Sequence, residues 1–177
     1  MYVSSLIRAA AVAALATTAA ADGAAIVDAL NNVDSETQQL EQTVQGWNGG
    51  YLGSIPIVTQ SLHVLYAIND GTDTANDSDE LTTDEALSIA TAVSTLATTV
   101  NGTMSAIIDA HDEFEHLLLA PIVLLDLKKQ KSASDEMSAA IIAKVPTALQ
   151  AIAQNLVAPI DASFTQAIEV YSLSNGI

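Results

Sequence analysis

Thr82–Leu118, TTDEALSIATAVSTLATTVNGTMSAIIDAHDEFEHLL, is the stretch that decides the fold. Thr82-Thr83-Asp84-Glu85 has the form of a capping box, in which a hydroxyl and a carboxylate three residues apart satisfy the free N–H groups at a helix start. Behind it Ala86, Ala90, Val93, Ala97, Val100, Met104, Ile107, His111, Phe114 and Leu118 return at alternating steps of three and four. That spacing lines one side of a helix, and no strand-like alternation competes with it. Unbroken, the helix would be about 50 Å long, so a kink is expected at Asn101-Gly102.

The same periodicity continues on both sides. Upstream, Ile26, Leu30, Val33, Thr37, Leu40, Val44 and Trp47 predict a helix from Ala24 to Trp47, stopped by Asn48-Gly49-Gly50. A second helix is predicted from Ser54, with Pro56 in its first turn and Ile55, Val58, Leu62, Leu65 and Ile68 as its seam, ending at Asn69-Asp70-Gly71. Residues 70–82, rich in Asp, Thr, Asn and Gly, read as a polar loop. Downstream, Pro121 opens a fourth helix that runs past Lys128, Lys129 and Lys131 to Met137, Ile141 and Ala143. Pro146 opens a fifth, carrying Leu149, Ile152, Leu156, Ile160, Phe164, Ala167 and Tyr171, which Pro159 should bend. The expectation is an all-α, antiparallel bundle of about five amphipathic helices without disulfides, since the chain has no cysteine.

Residues 1–21 have the three parts of a secretory signal: Arg8, an apolar stretch Ala9–Ala16, and small residues Ala19-Ala20-Ala21 before Asp22. The expected mature domain is 22–177, exported and possessing neither a hydrophobic tail of the GPI type nor a Ser/Thr/Pro stalk after its last helix. Four lysines then face 21 acidic residues. A field of that sign repels nucleic acid and anionic membranes, and suits solubility in a chain that is 50% hydrophobic.

Catalytic signatures are missing. Glu113-x-x-His116 copies half of a di-iron motif, but no second Glu-x-x-His exists, and His111 and His116 point in different directions around a helix. No metal and no cofactor are expected; His111 should lie at the core edge, with Asp112, Glu113 and Glu115 solvated. With no Gly-x-Ser-x-Gly turn and no strand to mount one, the chain does not read as an enzyme. Asn76-Asp77-Ser78 and Asn101-Gly102-Thr103 are glycosylation sequons.

The seams mix Ala, Thr and Ser with Leu, Ile and Val, a composition that either closes helices tightly or leaves room between them. Candidates for an apolar cavity are Leu62, Tyr66, Leu96, Val100, Met104, Ile141, Leu149, Leu156 and Phe164, with Lys128, Lys129 and Lys131 as candidate head-group contacts. LTTDEALSIATAVSTLATTVNGT (81–103), LLLAPIVLLDLKKQK (117–131), AAIIAKVPTALQ (139–150) and NLVAPIDASFTQAIEVY (155–171) resemble the fungal hydrophobic surface-binding protein A family, also called cell-wall galactomannoproteins. The resemblance implies a secreted, non-catalytic helical bundle that adsorbs to hydrophobic surfaces. Some members are similar to fatty-acid carriers, and some recruit a polyester-degrading hydrolase such as a cutinase. Larger ones carry a Ser/Thr-rich tail and an anchor, neither of which is expected here. The expected partner is a hydrophobic surface or a fatty acid; the alternatives are an adaptor for a secreted hydrolase and an acidic wall glycoprotein without ligand.

Overall fold

The computed structural model describes residues 3–173, with side chains from Asp22 onward. The signal expected in residues 1–21 therefore falls outside the residues whose side chains are described, as do residues 174–177. Five long helices, α1 (Val3–Gln45), α2 (Tyr51–Asp77), α3 (Thr83–Asp109), α5 (Ala120–Lys144) and α6 (Gln150–Leu173), are joined by short connections, with a six-residue helix α4 (His111–His116) and a 3₁₀ turn at Thr147–Leu149. No strand occurs among the described residues.

Chain direction alternates from one long helix to the next. Glu36 of α1 meets Gln60 of α2, while Asp22 meets Asp79 beyond the far end of α2. The remaining pairings close a ring: α2 lies on α5, α5 on α6, α6 on α3, and α3 on α1. Each helix thus buries two flanks, and the core runs down the ring's centre.

α3 starts as its sequence requires. The Thr82 hydroxyl and N–H donate to Glu85 at 2.6 and 2.8 Å, and the Glu85 N–H returns a bond to Thr82. The Thr82 hydroxyl holds the Glu85 carboxyl below its usual value. Gly23 of α1 packs here without a side chain, because a Cβ would fall 2.6 Å from Glu85 Cγ. The helix passes Asn101-Gly102 without interruption and ends instead at Ala110. On its outer face Ser88, Thr91, Ser94, Thr95, Thr98, Thr99 and Ser105 each donate their hydroxyl to the carbonyl four residues back.

α4 ends in a Schellman turn: the Leu119 N–H reaches the Phe114 carbonyl at 2.8 Å, and the Leu118 N–H reaches Glu115 at 2.9 Å. The left-handed residue in that turn is Leu118, at φ 59°, where glycine is the usual occupant. Trp47, Phe114, His111 and Tyr171 pack together at this end of the bundle, with the Trp47 and Phe114 ring centroids 4.5 Å apart. Tyr171 is fully buried, and its hydroxyl donates to the Ile107 carbonyl at 2.7 Å.

α2 departs from its expected form in three ways. It begins at Tyr51, so Pro56 is interior; the bond it cannot make falls at the carbonyl of Leu52, a residue open to solvent. It continues through Asn69-Asp70-Gly71 to Asp77, leaving a loop of only 78–82. Tertiary packing overrides the turn-forming residues: Gly71 and Ala75 are buried, and a Cβ on Gly71 would fall 2.4 Å from Met137 of α5 and 3.6 Å from Ala29 of α1. Its inward face is also only partly the expected one. Ile68 is buried and Leu65 packs half-buried against the core as expected, but Ser54, Ile57, Ser61 and Val64 also point in, whereas Ile55, Val58 and Leu62 point out. In α6, Ile152 is likewise exposed, while Ile160, Phe164, Ala167 and Tyr171 are buried as expected.

Candidate functional site

The ring of helices encloses an apolar chamber of about 60 Å³ to which all five long helices contribute. α1 supplies Leu30, Val33, Thr37 and Leu40; α2 supplies Val64 and Ile68; α3 supplies residues from Ala86 to Met104. α5 adds Gln130, Met137 and Ile141, and α6 adds Leu156, Val157, Ile160 and Phe164. The two threonine hydroxyls in this wall spend their donors on the backbone: Thr37 donates to Val33 at 2.6 Å and Thr103 to Thr99 at 2.9 Å. Both threonines therefore offer a guest mainly their methyls, and the other polar side chains in the wall are Gln130, Ser134 and Ser138. No Asp, Glu, His, Lys or Tyr lines it.

Of the residues proposed from sequence, the structure brings Leu96, Val100, Met104, Ile141, Leu156 and Phe164 together around this chamber. Leu149 is half-buried against the core but is not in the chamber wall. Tyr66 stands on the outer surface of α2, 66% exposed, and Leu62 lines a different cavity. Both displacements follow from the shifted inward face of α2.

That second cavity, of about 110 Å³, lies at the Phe114 end of the bundle. Leu40, Ile57, Leu62, Phe114, Leu119, Ile122 and Leu127 form its apolar wall. Leu40 belongs to both cavities, and beside it stands a polar cluster that the sequence did not announce. Gln130, 2% exposed and in the chamber wall, donates to Ser61 at 2.9 Å and to Asp126 at 3.0 Å, and Ser61 donates to Asp126 in turn. Ser61 and Asp126 face the second cavity, so the trio divides the two spaces. The only advance sign was the i, i+4 pair Asp126 and Gln130, one of many such pairs.

Burial pushes the Asp126 carboxyl above its usual value, against the lowering effect of the hydrogen bonds from Ser61 and Gln130. A carboxyl whose folded value is raised binds its proton more tightly in the folded state. Its contribution to stability is therefore present at low pH and is lost as pH rises through the folded value. Asp126→Asn keeps an acceptor for Ser61 and removes the charge. Its melting temperature relative to wild type should rise as pH climbs above the ordinary carboxylate range and level off once the folded value is passed. A difference that does not change with pH would show that Asp126 carries no such cost.

The lysines separate. Lys128 and Lys129 are exposed, whereas Lys131 bridges to Asp135 of its own helix at 2.9 Å and to Asp161 of α6. Hydrogen bonding to Asp161 holds the Lys131 ammonium above its usual value, so Lys131 is committed to the α5–α6 contact. Lys144 caps the end of α2 through the carbonyls of Asn76, at 2.9 Å, and Ser78. Asn76 is exposed on the last turn of α2, not in a loop, and Asn101 is exposed on α3, 3.3 Å from the Ser163 hydroxyl. His111 lies at the core edge, with its ring edge-on to Tyr171, while Asp112, Glu113 and Glu115 are exposed. His111, Asp112 and Glu115 come within 4.8 Å of one another, but Glu113 and His116 do not join them.

The fold has solved counterparts. Ligand binding domain 1 of the Penicillium marneffei MP1 protein, complexed with arachidonic acids, superposes with a TM-score of 0.81 at 20% identity, over 85% of this chain and 98% of that one. Afmp4p in complex with palmitic acid gives 0.81 at 21% identity, over 84% and 99%. In sequence, cell wall mannoprotein 1 of Aspergillus fumigatus is 32% identical over 145 residues, and that of Aspergillus flavus 30% over 149. These matches take in 82% and 84% of this chain but 50% and 54% of the relatives, so the chain spans about half the length of the mannoproteins it matches. The model of the hydrophobic surface binding protein A family matches residues 23–143, and the chain belongs to that family.

Proposed function

We propose that this protein is a secreted, non-catalytic carrier of fatty acids, with the acyl chain held in the chamber between the five long helices. The observation that carries the reading is the chamber itself: predominantly apolar walls from every long helix, with the Thr37 and Thr103 hydroxyls turned onto the backbone. Each buried methylene contributes roughly 0.8 kcal/mol, against under about 1 kcal/mol for a solvent-screened contact to Lys128 or Lys129. The chain supplies affinity and the head group orientation. At about 60 Å³ the space is narrow, and Met104 and Met137, flexible thioether side chains in its wall, are the groups best able to swing aside.

Relatives described as wall mannoproteins, and solved counterparts holding arachidonic and palmitic acids, support this reading. A wall with no acidic or basic side chain to activate its serine and threonine hydroxyls supports the non-catalytic reading. Export with cleavage before Asp22 and glycan addition at Asn76, on an exposed helix end, complete the proposal. Nothing in the fold favours the hydrolase-adaptor alternative.

Native mass spectrometry of protein purified from a eukaryotic secretion host should show a mass increment lost on delipidation and restored by palmitic acid at one equivalent or more. Protein that carries no lipid and takes up none would leave the reading of an acidic wall glycoprotein without ligand.

A further inference from the structure

The second cavity has a surface around it that the carrier reading leaves unexplained. Between Tyr51 and Asn69 the chain has no Asp, Glu, Lys or Arg, and none between Leu117 and Leu125, in a protein with 21 acidic residues. These two segments adjoin, because α2 and α5 run side by side from Ser61 and Asp126. Their outward side chains are large and apolar: Leu52, Ile55 and Val58 on α2, Leu118 before α5, Ile122 and Leu125 on it. Scattered apolar residues on a surface are ordinary, but an uncharged cluster of this kind marks a contact with something apolar.

Leu118 adds an independent observation. It holds a left-handed conformation that disfavours any side chain, yet it is 84% exposed and so offsets that cost with no packing of its own. Neither stability nor solubility favours leucine there over glycine.

We infer that this face lies on a lipid surface and that an acyl chain passes from it into the bundle through the second cavity, parting the Leu40 and Asp126–Ser61–Gln130 divider to reach the central chamber. The inference rests on the carrier reading. Val58, Leu62 and Ile122 belong both to the cavity wall and to the exposed face, so the cavity opens where the lipid would lie. The absence of charge on the face fits a zwitterionic surface, since the rest of the protein is acidic and repels an anionic one.

The chain has no cysteine, so Leu62→Cys with Ile122→Cys gives a unique pair that a short bismaleimide can join across the cavity mouth. The partner sample is the same variant blocked with N-ethylmaleimide. Both are mixed with phosphatidylcholine vesicles loaded with cis-parinaric acid, and the rise in its fluorescence is followed. Joining the pair should slow transfer at least tenfold and leave the final amplitude unchanged. Equal rates would place the entrance elsewhere and overturn the inference. Leu118→Gly should raise the melting temperature and still slow transfer from vesicles several-fold; transfer as fast as wild type would likewise overturn it. Parinaric acid added from ethanol tests the carrier reading separately. Failure of wild type to bind it would remove both readings, whereas binding with unaltered transfer in the variants removes only the entrance.

Discussion

Met104→Lys is expected to reduce fatty-acid affinity more than a hundredfold, about 2.7 kcal/mol or more. Met104 is 3% exposed and lies in the chamber wall, where no carboxylate is present to pair with an ammonium. A charge there must be desolvated without a partner, lose its proton, or draw water into the space an acyl chain would fill. Titration of cis-parinaric acid into wild type and variant measures the effect, with helicity checked first. Met104→Leu conserves volume and should bind much as wild type does, which separates the charge from the loss of the methionine. Lys129→Ala, at an exposed position, should weaken binding by less than about 1 kcal/mol. Wild-type affinity in Met104→Lys would move the ligand out of the chamber.

Tyr171→Ala should cost about 3–5 kcal/mol of stability, the range for removing a buried aromatic side chain. Tyr171 is 0% exposed and joins α6 to the Ile107 carbonyl of α3, with Phe114 and His111 on its ring. Tyr171→Phe keeps the ring and leaves that carbonyl without its donor, which should cost about 1–3 kcal/mol. Urea unfolding followed by circular dichroism gives both values. If the two variants unfold alike, the hydroxyl rather than the ring holds this end of the bundle. The chain has no cysteine and so no disulfide to fall back on, and the larger loss is a substantial part of a typical total of 5–15 kcal/mol.

Much of this was legible because α1, α3 and α6 bury large side chains at helical spacing. Ile26 to Val44 appear inward as read, and six of the nine expected cavity residues meet around one chamber. α2 misled for a definite reason. Its buried face mixes Ser54, Ser61, Ala67, Gly71 and Ala75 with Ile57, Val64 and Ile68, while Leu52, Ile55, Val58, Leu62 and Tyr66 face outward. Periodicity alone identifies a helix and then assigns one apolar side to the core, so a helix with apolar residues on two sides can be turned the wrong way. The same ambiguity hid the second cavity and the surface round it. The divider of Asp126, Ser61 and Gln130 was illegible for another reason: it joins residues more than sixty positions apart, which no local pattern reports.

The hydroxyls along the outside of α3 have a consequence for how water wets the protein. Hydropathy scales count Thr91, Thr95, Thr98 and Thr99 as polar, but each has already given its proton to the backbone. What remains for solvent is a methyl group and an oxygen that can only accept. A side of the molecule that looks hydrophilic by composition thus offers water acceptors without hydroxyl donors, and should shed its water layer more readily against a dry solid than its residue content suggests.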